Sequence, residues 1–305
     1  MESSPKAPKL DHSVPPALRE GKLVICPTPL GNLGDLTERT RCELEACDVV
    51  CCEDTRVTGH LLAALGIEKR LERLDENSIG NLAPRIIERV AAGEVIAYAS
   101  DAGMPGISDP GQRLVDLALS GNVGVEVLPG PTAVATAYVA AGFPSRSFYF
   151  GAFFPRKLGE RIRVLEQLKP LDACLVFYES PLRIVSALQT VSQVFPHRRV
   201  AVCRELTKLH EEITRANSSL LFQEFQLRER MGSIKGEIVM VIEPPTPEEA
   251  ASDASDSQLN AKKRVGELME DRTLSRKDVM KKIQREFGIS RNEAYDLVLE
   301  AFQDK

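Results

Sequence analysis

GKLVICPTPLGNLGDLTERTRCELEACDVVCCEDTR, residues 21–56, carries the plan of the chain. An apolar run (KLVIC, 22–26) is followed by a Gly/Pro turn, a longer amphipathic stretch and a second apolar run (DVVCC, 48–52). Short, wholly apolar runs suit strands buried on both faces, and a helix between two of them lets the strands lie parallel. The pattern therefore predicts a βαβ unit. Asp35-x-x-Glu38 has capping-box spacing and predicts the start of its helix.

The same alternation continues outward. EVIAYAS (94–100) and VGVEVL (123–128) read as further strands, with helices near 36–46, 55–65, 80–92, 110–120 and 131–141. A break falls at Gly142-Phe143-Pro144. A second run follows, with strands at 147–153, 173–178, 199–204, 211–216 and 236–243 and helices at 158–168, 181–194 and 217–230. The polar EEITRA segment (211–216) suits an antiparallel edge strand, so the second sheet is expected to be mixed. PPTPEEAASDASDSQ (244–258) has almost nothing to bury and reads as a linker. Residues 259–305 read as a small helical module, a possible helix-turn-helix relative, with Ser275 and Ser290 as N-caps and Gly288 as a C-cap. The expected organisation is a disordered tail (1–20), two α/β domains (21–142 and 143–243), a linker (244–258) and the helical module (259–305).

Composition sets limits on function. The chain has 305 residues and a formal charge of −5, which argues against a general polyanion binder. Residues 258–305 hold 11 Lys and Arg against 9 Asp and Glu, so any contact with nucleic acid must use local patches. No apolar run approaches the ~20 residues that cross a bilayer. The polar, Pro-rich start lacks the apolar centre of a signal peptide, and the chain reads as cytoplasmic with no membrane partner. Seven cysteines, without a CxxC pair, and four scattered histidines predict free thiols and no metal.

Three Gly/Pro-rich turns each follow a strand of the first domain: 27–34, 100–106 and 129–133. In α/β folds the turns at the C-terminal ends of strands form the ligand crevice. One such turn is ordinary punctuation, but three together point to a small-molecule site. GxxxxGK[ST] is absent, and Gly31 and Gly34 do not complete GxGxxG, so neither a triphosphate cradle nor a dinucleotide site is expected. The turns carry few cationic side chains, which suits a positively charged ligand.

At this point a resemblance enters. PTPLGNLGDLT (27–37), CEDTR (52–56), SDAGMPGISDPG (100–111), LPGPTA (128–133), FYESPLR (177–183), RELTKLHEE (204–212) and KGE (235–237) stand in order across residues 21–243. Together they resemble the bacterial small-subunit rRNA cytidine ribose 2′-O-methyltransferases of the tetrapyrrole-methylase superfamily. The resemblance implies two α/β domains with S-adenosyl-L-methionine in the cleft between them, a homodimer, and rRNA within the 30S subunit as substrate. One departure is clear: a His-Glu-His-Asn run usual in the family is Leu74-Asp75-Glu76-Asn77 here, so only Asn77 carries over. A tetrapyrrole C-methyltransferase on the same fold is the rival enzyme, and a non-catalytic ribosome-assembly factor is the rival outside catalysis.

Carried over by position, the cofactor is expected to touch Leu30, Ala102, Gly103, Met104, Ile107, Thr132, Ala133, Tyr178 and Leu206. Met104 stands where Thr is more usual. Glu53, Asp54 and Arg56, charges packed directly after a strand, suit substrate binding as well as a plain helix cap at Asp54 or Thr55. Asn77 joins them through the resemblance. Arg156 and Lys157, with Arg161 and Arg163, suit either a basic rim for RNA or a solvated helix face. Glu205 and Lys208 are the catalytic candidates: with a depressed pKa either would orient or deprotonate a ribose hydroxyl.

Overall fold

The computed structural model describes residues 20–270 and 274–303. The expected N-terminal tail, residue 20 apart, lies outside the described residues. Ten strands and eleven α-helices are described. In the first half they are β1 (Lys22–Cys26), α1 (Glu38–Ala46), β2 (Val49–Cys52), α2 (Thr55–Ala64), β3 (Leu71–Arg73), α3 (Ile79–Ala91), β4 (Val95–Ala99), α4 (Gly111–Ser120), β5 (Gly124–Val127) and α5 (Ala133–Ala141). The five strands form a wholly parallel sheet in the order β3-β2-β4-β1-β5. Because successive side chains of a strand point to opposite faces, each strand feeds two cores. Leu23, Ile25, Cys51, Ile96 and Tyr98 pack with Ile79, Ile86 and Leu114 of α3 and α4 on one face. Val24, Cys26, Val50, Ala97 and Ala99 pack with Leu44 and Leu62 of α1 and α2 on the other.

The second half continues with β6 (Phe148–Phe153), α6 (Leu158–Leu168), β7 (Cys174–Glu179), α7 (Ile184–Val194), β8 (Arg199–Arg204), β9 (Glu212–Asn217), α8 (Ser218–Arg230) and β10 (Ile238–Ile242). Its sheet runs β6-β7-β10-β8-β9; β6 pairs parallel to β7 and every other pairing is antiparallel. The mixed sheet expected from the sequence is present, with the polar EEITRA segment forming the antiparallel edge strand β9. The break at Gly142 falls between the two sheets, with Gly142 itself left-handed at φ 65° as the C-cap of α5.

Both sheets belong to one compact unit, from the first described residues to Leu165 and from Ala173 to Glu243. The second unit joins Glu166–Asp172 to the residues from Pro244 on. It contains α9 (Pro247–Glu270), α10 (Arg276–Phe287) and α11 (Arg291–Gln303), packed through Val265, Leu268, Val279, Ile283, Ala294 and Val298. Ser275 caps α10 in a full capping box and Gly288 closes it at φ 66°. Ser290 and Glu293 exchange the same reciprocal bonds ahead of α11.

Three local expectations are corrected. The segment read as a linker is helical from Pro247, although no described side chain from Pro247 to Gln258 is buried. Asp35 does not start α1: it ends a short 3-10 turn, and Thr37 caps the helix by accepting the Thr40 N–H. β3 was not foreseen, because its three residues, LER, carry no apolar pattern. All seven cysteines are free, six of them buried. No described helix is long and apolar enough to cross a membrane.

Candidate active site

The strand order sets β2, β4, β1 and β5 side by side, so the segments that leave their C-terminal ends share one edge of the sheet. Two of these turns are zipped together. Thr28 and Gly103 exchange backbone hydrogen bonds at 2.9 and 3.0 Å. The Thr28 hydroxyl donates to the Ser100 carbonyl at 3.0 Å, and the Ser100 hydroxyl to the Gly103 carbonyl at 2.9 Å. Gly103 has φ 86°, a conformation that costs an L side chain strain. A Cβ there would stand 3.1 Å from Leu30 Cδ2 and 3.6 Å from the Pro131 carbonyl. Turns 27–34, 100–106 and 129–133 thus converge on one bare Cα. Thr132 heads α5 without a side-chain cap, leaving the first N–H groups of that helix for another acceptor.

Residues of the second sheet meet these turns. Ile107, Ala133 and Tyr178 pack in one cluster with Val134, Cys203, Leu206 and Val239. Four of the nine expected cofactor residues, Ile107, Ala133, Tyr178 and Leu206, therefore share a single patch, while Leu30 and Gly103 are neighbours of each other. Tyr178 is fixed by edge-on packing against Phe150 and Phe153, at centroid distances of 4.9 and 5.5 Å.

The RELTK turn is built under strain. Glu205 and Thr207 both have positive φ, 52° and 66°, a conformation that persists only where its surroundings enforce it. The enforcement comes from KGE. Glu205 N–H donates to the Glu237 carbonyl at 3.0 Å, and Glu237 N–H returns a bond to Glu205 Oε1 at 2.9 Å. Gly236, at φ 92°, lies so close to the Glu205 carboxylate that any Cβ would collide with it. Lys208 Nζ then bridges Glu205 at 3.0 Å and Glu237 at 3.1 Å, and its stem lies over Gly31 of the first turn. Glu237, which the sequence placed only inside a motif, is thus a second anchor for Lys208.

This geometry corrects the expected electrostatics. Partial burial pulls the Lys208 pKa down, but its bonds to Glu205 and Glu237 outweigh that and hold it above the usual lysine value. The Glu237 N–H, then Lys208, hold the Glu205 carboxyl below its usual range against a smaller burial penalty. Lys208 is a committed cation, not an amine with a depressed pKa.

Acid gathers at the neighbouring strand ends. Burial, then Asp109 and Asp101, push Glu53 up to about 7, and burial raises Asp101 and Asp109 as well. Asp101 N–H approaches Glu53 Oε1 at 3.4 Å, while Asp109 Oδ1 accepts the Gly106 and Gly111 N–H groups at 2.8 Å each. Asp54 is the N-cap of α2, accepting the Arg56 N–H at 2.9 Å. Its two oxygens also take the Arg56 guanidinium at 3.0 and 2.6 Å, so the fork expected to meet phosphate is turned onto Asp54.

Other expected residues stand apart. Asn77 is exposed in a turn closed by Asp75 and Ser78, which exchange bonds at 3.0 and 2.9 Å. Leu74, at the first position of the family's His-Glu-His run, is fully buried in the first core. Arg156 and Lys157 are exposed. Arg161, counted in the same basic segment, points inward instead, donating to the Pro155 carbonyl at 2.6 Å and to the Ser186 hydroxyl at 2.9 Å. It helps surround Glu179, whose buried carboxylate pairs with Arg183 at 2.6 Å. The ESPLR half of FYESPLR is therefore a structural ion-pair network, which the sequence reading did not separate from the site.

Comparison with known proteins places the arrangement. Residues 22–221 match the family described as tetrapyrrole (corrin/porphyrin) methylases. A protein of Mesorhizobium japonicum named ribosomal RNA small subunit methyltransferase I is 39% identical over 232 residues, covering 76% of this chain and 78% of its own. One of Erythrobacter litoralis with the same name is 39% identical over 290 residues, 95% of this chain and 98% of its own. Among solved structures, a uroporphyrin-III-C-methyltransferase of Thermus thermophilus aligns with a TM-score of 0.53 at 18% identity, over 77% of this chain and 98% of its own. A diphthine synthase aligns at 0.58 and 14% identity, over 76% of this chain and 93% of its own. These structures share the fold. With its sheets, its converging turns and its relatives taken together, the chain belongs to the tetrapyrrole methylase family and, within it, groups with the small-subunit ribosomal RNA methyltransferases I.

Proposed function

We propose that this chain transfers a methyl group from S-adenosyl-L-methionine to the ribose 2′-oxygen of a cytidine in the decoding region of small-subunit rRNA. The observation that carries the reading is the convergence of three strand-end turns on Gly103, in a chain whose 39%-identical relatives bear the rRNA methyltransferase name. The likeness to the tetrapyrrole enzyme is one of fold, at 18% identity.

The site fits such a donor. Gly103 leaves a cradle that a Cβ would fill, and the uncapped start of α5 offers N–H groups to a carboxylate. Leu30, Ala102, Gly103, Met104, Ile107, Thr132, Ala133, Tyr178 and Leu206 would hold it in the cleft between the α/β domains. When bound, S-adenosylmethionine would supply an electrophilic methyl on a sulfonium that departs as a neutral thioether, while the 2′-hydroxyl proton is released to solvent. The chain's own contribution is then mainly placement. Lys208, charged and tied to Glu205 and Glu237, would donate to a ribose oxygen and hold it in line. Glu53, Asp54, Arg56, Asn77, Arg156 and Lys157 would meet the RNA. No metal enters this scheme.

The substrate is read as rRNA within the 30S subunit, and the protein as a cytoplasmic homodimer. Edge strand β6 supports the dimer by exposing Phe148, Tyr149 and Phe153, an apolar edge that favours association. The test is to incubate the protein with labelled S-adenosylmethionine and unmodified 30S subunits and to locate the label by mass spectrometry. A methyl group on a cytidine ribose is expected. Cofactor binding without any transfer to 30S subunits overturns the reading.

A further inference from the structure

Helix α2 has two apolar stripes and only one of them is used. Leu62 is buried in the core it shares with Leu44 and Val50. Val57, Leu61 and Ala64, at the i, i+4, i+7 spacing of a separate face, line a depression of about 260 Å³ on the other side. Its opposite wall is the first glycine turn, through Pro29, Gly31 and Leu33, and its polar end is Ser100 and Asp101. Val57 and Leu33 stand 42% and 49% exposed at the mouth. None of the nine expected cofactor residues and none of the expected RNA-contacting residues lines it.

We infer that this depression receives one unstacked nucleobase carrying an exocyclic amine, the base of the nucleotide to be methylated. The inference rests on the rRNA reading above. Its walls match the ligand: apolar Leu33, Val57, Leu61 and Ala64 suit the faces of a ring, and a carboxylate at the end suits an amine donor on its edge. Asp101 accepts the Asp54 N–H through Oδ1 at 3.1 Å, which fixes the carboxylate in place. Its volume, about 260 Å³, is below the roughly 300–1,000 Å³ of pockets that enclose drug-sized molecules and suits a single ring. Location supports the same base. Thr28 and Gly31 belong to the turn that pairs with Gly103, and the Lys208 stem lies over Gly31, so the ribose of a base seated here stays beside both donor turn and cation.

Ala64 is exposed on the helix surface, so Ala64→Trp fills the depression without disturbing the core. Val57→Glu, at the mouth, gives an independent change, and Ala63→Trp, on the same helix but outside the depression, is the control. Single-turnover methylation of unmodified 30S subunits and calorimetric titration with S-adenosylmethionine are measured for all three. Ala64→Trp and Val57→Glu are expected to lower kcat/KM for 30S subunits by about tenfold or more, the stacking of one base, with cofactor affinity unchanged. Ala63→Trp is expected to behave as wild type. Wild-type rates in both pocket variants overturn the inference, as does an equal loss of cofactor affinity, which would assign the depression to the donor. Wild-type protein that binds the cofactor yet leaves 30S subunits unmethylated removes the rRNA reading first and this inference with it.

Discussion

A side chain at position 103 meets two obstacles at once. The backbone there has φ 86°, and a Cβ would press on Leu30 Cδ2 at 3.1 Å in the space where the turns converge. The conformational penalty alone is about 1–2 kcal/mol for an ordinary L residue, too little to unfold the domain. Gly103→Val is therefore expected to keep its far-UV circular dichroism while S-adenosylmethionine affinity falls by about tenfold or more, one tenfold step per 1.4 kcal/mol of lost binding. Unchanged affinity in a folded variant would remove Gly103 from the donor site. Glu53 poses a different question at the same scale. Its folded pKa, about 7, lies above the ordinary 4.5. The native state thus favours the protonated carboxyl, and that preference is whole below pH 4.5 and lost as pH rises through about 7. Glu53→Gln keeps the shape and drops the titration. The melting temperature of the variant should gain on wild type across this window, most of all at its upper end; parallel pH profiles would contradict the burial of the charge.

At the scale of elements, the sequence was most legible where apolar runs were continuous. VVCC and VIAYA are buried at every position, and β2 and β4 were found within a residue of their ends. β3 escaped because its pairing to β2 supplies what its composition lacks. The three turns of the site were visible as punctuation, but their convergence depends on strand order, which places β1 between β4 and β5. The charge state of Lys208 was not legible, since its partner Glu237 is far along the chain and reaches it only through the strained turn. Leu74 shows a further limit: where the family carries a histidine, this chain puts a core residue. Helix α9 is the case in which composition misled about conformation yet not about burial. From Pro247 to Asn260 no described side chain is buried. A helix without a packed face is marginal in water, so it opens readily and exposes its backbone. Limited proteolysis should make its first cut between 247 and 260, releasing a body that keeps both sheets through Glu243 and ends at the cut. A first cut between the two sheets would show that this helix is better protected than its exposure implies.

For the whole molecule, the decisive quantity is where the charge sits. A chain with net charge −5 gains no long-range attraction to RNA from its total field. Binding must come from a few cations able to reach phosphate, and many of this chain's are already engaged: Arg56 with Asp54, Arg161 inside the fold, Arg183 with Glu179, Lys208 with two carboxylates. Arg156 and Lys157 differ. Both are exposed, and the ion pair of Lys157 to Glu160, at 3.3 Å, is a surface pair, of a kind worth at most about 1 kcal/mol and readily exchanged for phosphate. The two residues follow β6 and precede α6, outside the three glycine turns. Replacing both with alanine should therefore leave S-adenosylmethionine affinity unchanged and weaken RNA binding uniformly. Every phosphate that is no longer neutralised takes roughly 0.7–0.9 from the slope of log affinity against log salt, so the double variant should flatten that slope by about 1.5. Methylation of 30S subunits by the double variant should fall short of wild type by more at about 50 mM salt than at about 200 mM, because added salt erodes the phosphate attraction that only the wild type keeps. A slope identical to wild type would take both residues off the RNA surface and leave recognition to the neutral walls around the first glycine turn.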